Sequence, residues 1–521
     1  MQAASPKTAT HGKRRPVAAS RASTTDTAGV VVGVDLGTSA VKVLAATTSG
    51  REIASGSQFY GLETPQADFV EQNADVVYRA TMHVLADVLA DVRLRGSEVA
   101  AIGFSSAMHG VLCVDDAGEP ISNVITWMDR RAHAVADKWR ADGVALELYR
   151  STGAPMHPML PIAKLRWLAE NDPDTFAKAR RFVGLKELVV FRWTGEWLID
   201  HGIASATGMF DLRTRDWHPR ALELAGIAPE RLSHPAQPTT ALRRFRPAIA
   251  RELGLAAPTA LVLASSDGAL ANIGVGASGR ADLALTLGTS GAVRILCGEP
   301  MLDDRARTFC YCADDSSYIV GGPTSAAGAS LDWIFGLLLD ELPMERRFAR
   351  AVELAEQIAP GANGLVVLPF FAGERAPYWN SALRGAFDGL DLAHDRRAIL
   401  RAAFESVVFG VYAVYDVVRE LAQDAQQLLL TGGLTKSPVV RQLLADVFGL
   451  PAVQPREQEA SAFGAALVAA QAIGLVNDAA SAARAVGYDA PTRPNPDLAS
   501  TYAAAFERYR RHISAHLPLV G

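Results

Sequence analysis

Two short segments in opposite halves of this chain share one pattern, and that repetition constrains the fold more than any other feature. The first reads Val34-Asp35-Leu36-Gly37-Thr38-Ser39 and the second Thr286-Leu287-Gly288-Thr289-Ser290, each after an apolar, strand-like run. A Gly-Thr-Ser turn brings backbone N–H groups and hydroxyls close to an anion, because glycine lets the main chain approach without a Cβ atom. One such turn in each half predicts a two-lobed protein in which both lobes bind the same polyphosphate.

The two copies differ at one position that matters chemically. Asp35 precedes the first turn, whereas Thr286 occupies the matching place before the second. A carboxylate can hold Mg²⁺ through bound water. We therefore expect the metal ion beside the first turn.

Length and composition exclude several classes of protein. A chain of 521 residues is long for one hydrophobic core, and 49% apolar with 21% charged residues is typical of a soluble globular protein. A net charge of −5 leaves no basic surplus for nucleic acid. No uncharged run reaches the roughly 18 apolar residues that a membrane span needs. Four irregularly spaced cysteines indicate reduced core thiols, and we expect a cytoplasmic protein.

The pattern of apolar residues divides the chain into a tail and two lobes. Residues 1–28 are rich in Ala, Ser and Thr and lack the apolar core of a secretory signal, which predicts a disordered extension. Strand-like and helical patterns then alternate, which predicts an α/β fold with mixed sheets. We expect strands at 100–105, 259–264 and 428–430, and helices at 74–93 and 396–422. A boundary near residue 275 gives an N-terminal lobe of 29–274 and a C-terminal lobe of 275–521.

Residues 274–279 spell a literal Gly-x-Gly-x-x-Gly motif. A dinucleotide fingerprint lies between a strand and a helix. Here a helical pattern precedes the motif and a strand-like run follows it, so we interpret the match as coincidental.

Two further segments follow strand-like runs and contain residues that are typical of catalytic or ligand-binding sites. Asp267 follows an apolar run, where a carboxylate can take a proton from a bound hydroxyl, or can cap the following helix. Gly432 and Gly433 also follow a strand-like run. Adjacent glycines let a flat base or a phosphate lie against the backbone, although a simple turn would use them too.

A third group of residues suits a polyol. Met108 and His109 end an early strand, and Trp127, Asp129 and Arg130 follow soon after. Sugar hydroxyls need both donors and acceptors, and their CH faces stack on aromatic rings. Arg130 could equally be an ordinary surface charge.

Together these residues resemble the FGGY family of carbohydrate kinases over about residues 30–515. Residues 161–168 (Pro-Ile-Ala-Lys-Leu-Arg-Trp-Leu) match one family signature, and Gly385 to Leu390 with Ala402 to Glu405 matches the other. The two Gly-Thr-Ser turns, Ser266-Asp267-Gly268 and Thr431-Gly432-Gly433 strengthen the resemblance.

Within the family, three segments are similar to gluconate kinases: residues 125–130, 153–159 and 203–209. Residues 307–311 and 321–323 add to this likeness. Glycerol kinases carry an Arg-Glu pair where this chain has Met108-His109, whereas xylulose kinases share the Met-His pair and are the nearest alternative.

The resemblance implies an actin-like, ribonuclease-H-like fold in each lobe, with ATP and Mg²⁺ in the cleft between them. It implies that Asp267 is the general base, that Asp35 positions Mg²⁺, and that Met108, His109, Trp127, Asp129 and Arg130 bind the sugar. The family pattern also implies the nucleotide contacts, which are Thr38, Ser39, Lys42, Gly288, Thr289, Gly328, Asp332, Gly432, Gly433 and Ser437. Ser437 stands where glycerol kinases carry Asn.

The expected reaction is ATP-dependent phosphorylation of the terminal hydroxyl of D-gluconate by a monomer or homodimer. A substrate carboxylate needs a cationic end to its pocket, and the candidates are His109, His157, Lys186 and Arg130. The alternatives are a xylulose or other polyol kinase, a nucleotide-driven conformational machine with the same lobe fold, and a catalytically silent sugar sensor.

Overall fold

The computed structural model describes residues 29–256, 258–422, 425–456 and 459–517, so the predicted extension at 1–28 lies outside the described residues. Two six-stranded mixed sheets, one from each half of the chain, organise the structure. This confirms the predicted α/β class with a mixed sheet in each lobe.

The first sheet has the strand order β13-β14-β5-β1-β2-β3. The strands of this half are β1 (Val30–Leu36), β2 (Ala40–Ala46), β3 (Glu52–Phe59), β4 (Glu71–Gln72), β5 (Val99–Ser106), β6 (Leu112–Val114), β7 (Val124–Ile125), β8 (Arg181–Val183), β9 (Leu198–Asp200), β10 (Phe210–Asp211), β11 (Asp216–Trp217), β12 (His234–Ala236), β13 (Ala241–Leu242) and β14 (Ala260–Val262). Its helices are α1 (Ala74–Leu94), α2 (His133–Ala141), α3 (Val144–Thr152), α4 (Pro161–Asn171), α5 (Pro173–Lys178), α6 (Leu185–Thr194), α7 (His201–Ser205), α8 (Pro219–Ala225), α9 (Pro247–Leu253) and α10 (Asp267–Gly274).

The second sheet has the order β17-β18-β16-β15-β21-β22. Its half of the chain contains β15 (Asp282–Leu287), β16 (Gly291–Cys297), β17 (Phe309–Cys312), β18 (Tyr318–Thr324), β19 (Val366–Leu368), β20 (Ala386–Asp388), β21 (Gln427–Thr431) and β22 (Ala452–Val453). The helices are α11 (Gly328–Leu338), α12 (Met344–Ala355), α13 (Arg396–Leu421), α14 (Pro438–Phe448), α15 (Ala460–Ala472), α16 (Ala479–Val486) and α17 (Ala499–His516).

The two sheets repeat one topology around the two Gly-Thr-Ser turns. β1 pairs antiparallel with β2 and parallel with β5, and β15 pairs antiparallel with β16 and parallel with β21. Each turn therefore joins the first hairpin of its sheet, at the edge where the parallel neighbour also ends. The internal repeat seen in the sequence is a repeat of architecture.

The predicted helices and strands are confirmed with small shifts at their ends. α1 begins after Asn73, whose side chain accepts the N–H groups of Asp75 and Val76 and so satisfies the exposed donors of the first turn. The Gly-x-Gly-x-x-Gly segment starts at the last residue of α10 and precedes β15, so it does not join a strand to a helix as a dinucleotide fingerprint does.

Helix α13 is a core helix of the second half. Its 26 residues are long and apolar enough to cross a membrane by length and composition, but 83% of its most apolar window is buried inside the protein. Its sides pack on α12, β18 and β19, which accounts for its apolar surface.

Helix α15 comes from the second half of the chain but packs on β1 and β5 of the first sheet. Gly33 and Gly103 are register partners in these two strands. At this point the sheet surface has no side chains, so the helix backbone can approach the strand backbone directly. A Cβ atom on Gly33 would lie 1.7 Å from the Ala462 carbonyl oxygen, and one on Gly464 would lie 2.1 Å from that of Leu270 in α10. Backbone-to-backbone contact thus joins α10, α15 and the first sheet.

We expect Gly33→Ala to lower the free energy of unfolding by about 3 kcal/mol, because the added methyl group meets backbone that can move only with the whole helix. Chemical denaturation measures this change. Gly61→Ala is the matched control, since its Cβ atom would enter open space. Equal stability of the two variants would contradict the close approach of α15 to β1.

Candidate active site

Asp267 is the first residue of α10, at the edge where β14 ends. The helix is capped by Ser266, whose Oγ accepts the Ala269 N–H, so the alternative role of Asp267 as the N-cap is wrong. The Asp267 carboxylate accepts only the N–H of Gly268 at 2.8 Å among the hydrogen bonds of the described residues. Burial, and then the charge of Asp35, raise its pKa to about 6, while Arg294 opposes the rise.

Asp35 lies on β1, and β1 continues into the first Gly-Thr-Ser turn. Ser105 of the neighbouring strand donates a hydrogen bond to its Oδ1 at 2.6 Å, and Lys42 is its register partner on β2. Burial raises the pKa of Asp35, and Ser105 and Lys42 oppose the rise. The structure therefore brings the predicted base and the predicted metal-positioning carboxylate together.

Asp35 fits a magnesium ion held largely by water. Its Oδ1 accepts the Ser105 hydroxyl, and a carboxylate fixed in this way can bind a hydrated hard cation. No group of three or more His, Cys, Asp or Glu side chains that could hold a metal occurs in the described part of the chain. An ion with few protein ligands is typical of Mg²⁺, which keeps several of its waters.

The first turn connects the predicted phosphate contacts with the predicted sugar contacts. The Thr38 hydroxyl accepts a hydrogen bond from Trp127 Nε1 at 2.8 Å. Ser39 is exposed at the turn, and Lys42 forms an ion pair of 2.7 Å with Glu459, which directly precedes α15. The first turn thus contacts the ring that was predicted to stack on the sugar.

The second turn lies against the start of α11. Gly288 and Thr289 accept the backbone N–H groups of Gly328 and Ala329 at 2.9 and 3.0 Å. Gly432 has φ of +96°, and its Cβ atom would lie 2.5 Å from the Leu287 oxygen, so no other residue fits there without strain.

The remaining predicted nucleotide contacts occupy the surroundings of this second turn. Gly433 faces open space, Ser437 directly precedes α14, and Asp332 is exposed one turn along α11. Gly433 therefore leaves open space beside its backbone, whereas Gly328 and Gly432 are packed against the backbone of the second turn.

His109 adopts a left-handed backbone conformation, with φ of +67°. Its Nδ1 lies 2.7 Å from the Ala206 carbonyl oxygen. Since a carbonyl only accepts, Nδ1 carries the hydrogen, and Nε2 is left to accept a hydrogen bond. Burial lowers the pKa of His109 to about 3, so the ring is neutral. Met108 reaches α10, where its Cε would lie 3.2 Å from a Cβ atom on Gly268.

Asp129 was predicted to contact the sugar, and the structure shows another role. Its side chain accepts four hydrogen bonds, three from Arg131 and one from the Val70 N–H. These occupy the four acceptor positions of a carboxylate. Asp129 therefore holds Arg131 and the loop, and it has no acceptor left for substrate. Arg130 is half-buried at the rim, with Nε 3.6 Å from Asp68.

Two buried lysines hold the strained backbone of the site. Lys164 Nζ donates to the carbonyl oxygens of His109, Ile125 and Thr126 at 2.7, 3.2 and 2.7 Å. These carbonyls belong to the loops that carry His109 and Trp127. Burial lowers the pKa of Lys164 to about 7, and Asp129 opposes this shift. The ammonium group fixes the left-handed turn at His109.

Lys186 has the same function beside the base. Its Nζ lies 2.6 Å from Asp200 Oδ2 and donates to the carbonyl oxygens of Phe104, Leu263 and Ser265 at 3.2, 3.0 and 2.9 Å. Ala264, between two of these residues, has φ of +51°. Lys186 was a candidate to bind a substrate carboxylate, but its donors are already engaged, so this prediction is wrong.

Sequence patterns did not indicate two buried arginines of the second half, Arg294 and Arg375. Arg294 Nε lies 3.1 Å from where a Cβ atom on Gly268 would be, and it has no hydrogen-bond partner among the described residues. The Arg375 guanidinium lies over the Trp127 ring, 4.8 Å from its centroid. Arg294 is the single charged residue in the otherwise apolar sequence of β16, and this feature could have marked it as a functional residue.

We expect Lys186→Met to lower the free energy of unfolding by about 3–5 kcal/mol, because it leaves the Asp200 carboxylate buried without its cation. Denaturant titration measures the loss. Asp200→Asn in the same chain should restore part of it, since the uncompensated charge is then gone while Oδ1 can still accept the Ile203 N–H. A double variant as unstable as the single one would show that the ion pair does not carry the effect.

Two family descriptions match successive parts of this chain and together cover most of it. Residues 30–274 match the N-terminal domain of the FGGY family of carbohydrate kinases, and residues 283–473 match its C-terminal domain. The gluconokinase of Bacillus subtilis (strain 168) is 33% identical over 91% of this chain and 93% of its own length. The xylulose kinase of the same organism is 28% identical over 84% of this chain and 87% of its own length.

Solved structures show the same similarity. A gluconate kinase from Lactobacillus acidophilus superposes with a TM-score of 0.88 at 33% identity, covering 94% of this chain and 98% of its own. A ligand-bound xylulose kinase from that organism gives a TM-score of 0.89 at 32% identity, covering 94% of this chain and 99% of its own. The fold and family expected from the motifs are thus confirmed: the chain belongs to the FGGY family of carbohydrate kinases.

Proposed function

We propose that this protein transfers the γ-phosphoryl group of ATP to the terminal hydroxyl of D-gluconate, giving 6-phospho-D-gluconate. The observation that carries the proposal is a desolvated carboxylate, Asp267, whose pKa is raised by burial and by Asp35, the residue that leads into the first Gly-Thr-Ser turn. The 33% identity with a gluconokinase supports gluconate as the substrate. The predicted division of labour follows, with 29–274 binding sugar and 275–521 binding nucleotide, in a cytoplasmic monomer or homodimer.

Catalysis in this scheme rests on positioning more than on bond-making by the protein. Phosphoryl transfer passes through a loose transition state, so the base is needed chiefly to accept the proton late. Asp267 takes that proton from the terminal hydroxyl onto its free carboxylate oxygen. Asp35 would hold the hydrated Mg²⁺, which supplies charge neutralisation at the phosphates. The Thr38 hydroxyl fixes the orientation of the Trp127 ring, on which the sugar is proposed to stack.

Phosphorylation of D-xylulose is the second candidate function, because similarity to xylulose kinases extends over most of the chain. A coupled ADP-release assay with Mg-ATP separates the candidates when run against D-gluconate, D-xylulose, glycerol, L-ribulose and no sugar. A strong preference for gluconate supports the proposal, and a preference for another polyol replaces the substrate. ADP release without sugar would indicate a nucleotide-driven machine, and binding without turnover a sensor.

We expect Asp267→Asn to lower kcat by 10²-fold or more, in line with general-base contributions, because the amide cannot accept the proton. Binding of ATP and of sugar should remain nearly intact, and calorimetry measures both. Asp116→Asn is the matched control, since that carboxylate is exposed in the same half of the chain. A decrease in kcat of less than about tenfold would rule out Asp267 as the base.

The pH dependence of kcat/KM should show an acid limb near pH 6. Burial and Asp35 raise the Asp267 pKa to about 6. The ionised carboxylate is the active form, so kcat/KM should be constant above this pH and fall tenfold per pH unit below it. Residual activity of Asp267→Asn should lack the limb. A limb near pH 4, the ordinary range of aspartate, would contradict the desolvated base.

A further inference from the structure

We propose that Arg375, contributed by the second half of the chain, binds the carboxylate of the sugar-acid substrate. The inference deepens the proposed function and rests on it. It assigns the cationic end of the pocket to a residue that the sequence patterns did not indicate.

The two histidines that the sequence offered for this role are neutral. His109 has its only hydrogen on Nδ1, directed to the Ala206 carbonyl. His157 accepts the Met159 N–H at Nδ1, so its hydrogen is on Nε2. Burial lowers the pKa of both rings, and for His157 the charges of Arg375 and Arg140 lower it further. These rings can exchange hydrogen bonds with hydroxyls, but they supply no charge.

The other two candidates, Lys186 and Arg130, already have partners for their charge. Lys186 is engaged by Asp200 and by three carbonyls. Arg130 lies at the rim, where its side chain is 34% exposed and close to Asp68. The charge of Arg130 already faces the Asp68 carboxylate, which competes with a substrate anion for the same guanidinium.

Arg375 meets the requirements for a carboxylate receptor. Its Nε donates to Ser325 Oγ at 3.2 Å and its Nη2 to the Thr324 oxygen at 2.9 Å. These two bonds fix the guanidinium plane over Trp127, the predicted sugar-stacking ring, and leave Nη1 without a hydrogen-bond partner among the described residues. A planar, anchored guanidinium is suited to paired hydrogen bonds with a carboxylate.

The charge of Arg375 is not neutralised by a close ion pair. No carboxylate oxygen lies within 4 Å of its guanidinium in the described ranges of the chain. The adjacent Glu374 uses its oxygens on the Thr324 hydroxyl and on the N–H groups of Ser325 and Arg375. Burial lowers the Arg375 pKa to about 10, which leaves it a cation at neutral pH.

Contacts place the two arginines at different parts of the site. Arg294 Nε lies 3.1 Å from where a Cβ atom on Gly268 would be, next to Asp267, whereas the Arg375 guanidinium lies over the Trp127 ring. In the proposed binding mode the terminal hydroxyl lies at Asp267 and the opposite end of the substrate lies at Arg375. The carboxylate lies at that opposite end of gluconate, whereas xylulose carries no charge there.

The test compares Arg375→Gln and Arg375→Lys with the parent enzyme. We expect Arg375→Gln to raise the KM for D-gluconate by roughly 10- to 100-fold, the effect of losing a charged hydrogen bond, with kcat changed less than threefold. Calorimetric binding of D-gluconate should weaken by the same factor. Arg375→Lys should recover part of the loss, because lysine keeps the positive charge but lacks the paired, coplanar N–H donors of the guanidinium.

Controls separate this effect from misfolding and from a wrong substrate. Arg384→Gln is the matched control, since Arg384 is an exposed arginine that bonds only backbone carbonyls on the same segment. D-glucitol, the uncharged counterpart of gluconate, should bind the parent and Arg375→Gln equally, and this also shows that the variant is folded.

Three outcomes would overturn the inference. If the parent prefers gluconate and Arg375→Gln keeps its KM, the proposed function stands and the assignment of Arg375 fails. If only Arg130→Gln raises the KM, the carboxylate belongs to Arg130. If the parent does not use gluconate, the proposed function fails and the inference fails with it.

Discussion

The active site depends on the burial of two ammonium groups under its loops. Lys164 and Lys186 each collect three backbone carbonyls, and each holds one non-glycine residue in the left-handed region, His109 and Ala264 respectively. Such backbone is unfavourable by about 1–3 kcal/mol and persists only where neighbouring contacts determine it. Lys164 bonds the carbonyl of His109 itself, and Lys186 bonds the carbonyls on either side of Ala264, so each lysine holds its strained residue in place. The residues proposed to contact the sugar and to act as the base are therefore positioned by two lysines whose own donors are already engaged.

The surroundings of Asp267 determine the pKa of its carboxyl group. The carboxylate has one local hydrogen bond, so its ionised form is poorly solvated and the pKa rises. Asp35 adds repulsion, and Arg294 from the other half of the chain limits the rise. The pKa of the proposed base is thus set by burial and by charges from both halves of the chain. Its protonation equilibrium would be expected to depend on how the two halves meet.

Local sequence patterns predicted the parts of the structure that are themselves local. The Gly-Thr-Ser turns, the helices at 74–93 and 396–422, and the acid at the end of β14 each depend on residues close together in the chain. Arg375 and Arg294 could not be predicted as site residues, because their distance from Trp127 and Asp267 is set by how the halves pack. Lys186 misled for a related reason, because its pairing with Asp200 is visible only in three dimensions. Asp129 differs, since three of its four hydrogen bonds come from Arg131, two residues along the chain, and only the bond from Val70 is long-range.

The repeated topology allows equivalent positions in the two sheets to be compared, and at one of them the two halves carry different side chains. Asp35 and Ser105 are register partners in the first sheet, and Thr286 and Thr431 are register partners in the second. The first pair shares a hydrogen bond of 2.6 Å and the second one of 2.9 Å. The same position thus carries a charge in one sheet and neutral hydroxyls in the other. In the proposed scheme the negative half holds metal and base, while the second half adds the cations, so a negatively charged sugar is recognised only where both halves face it.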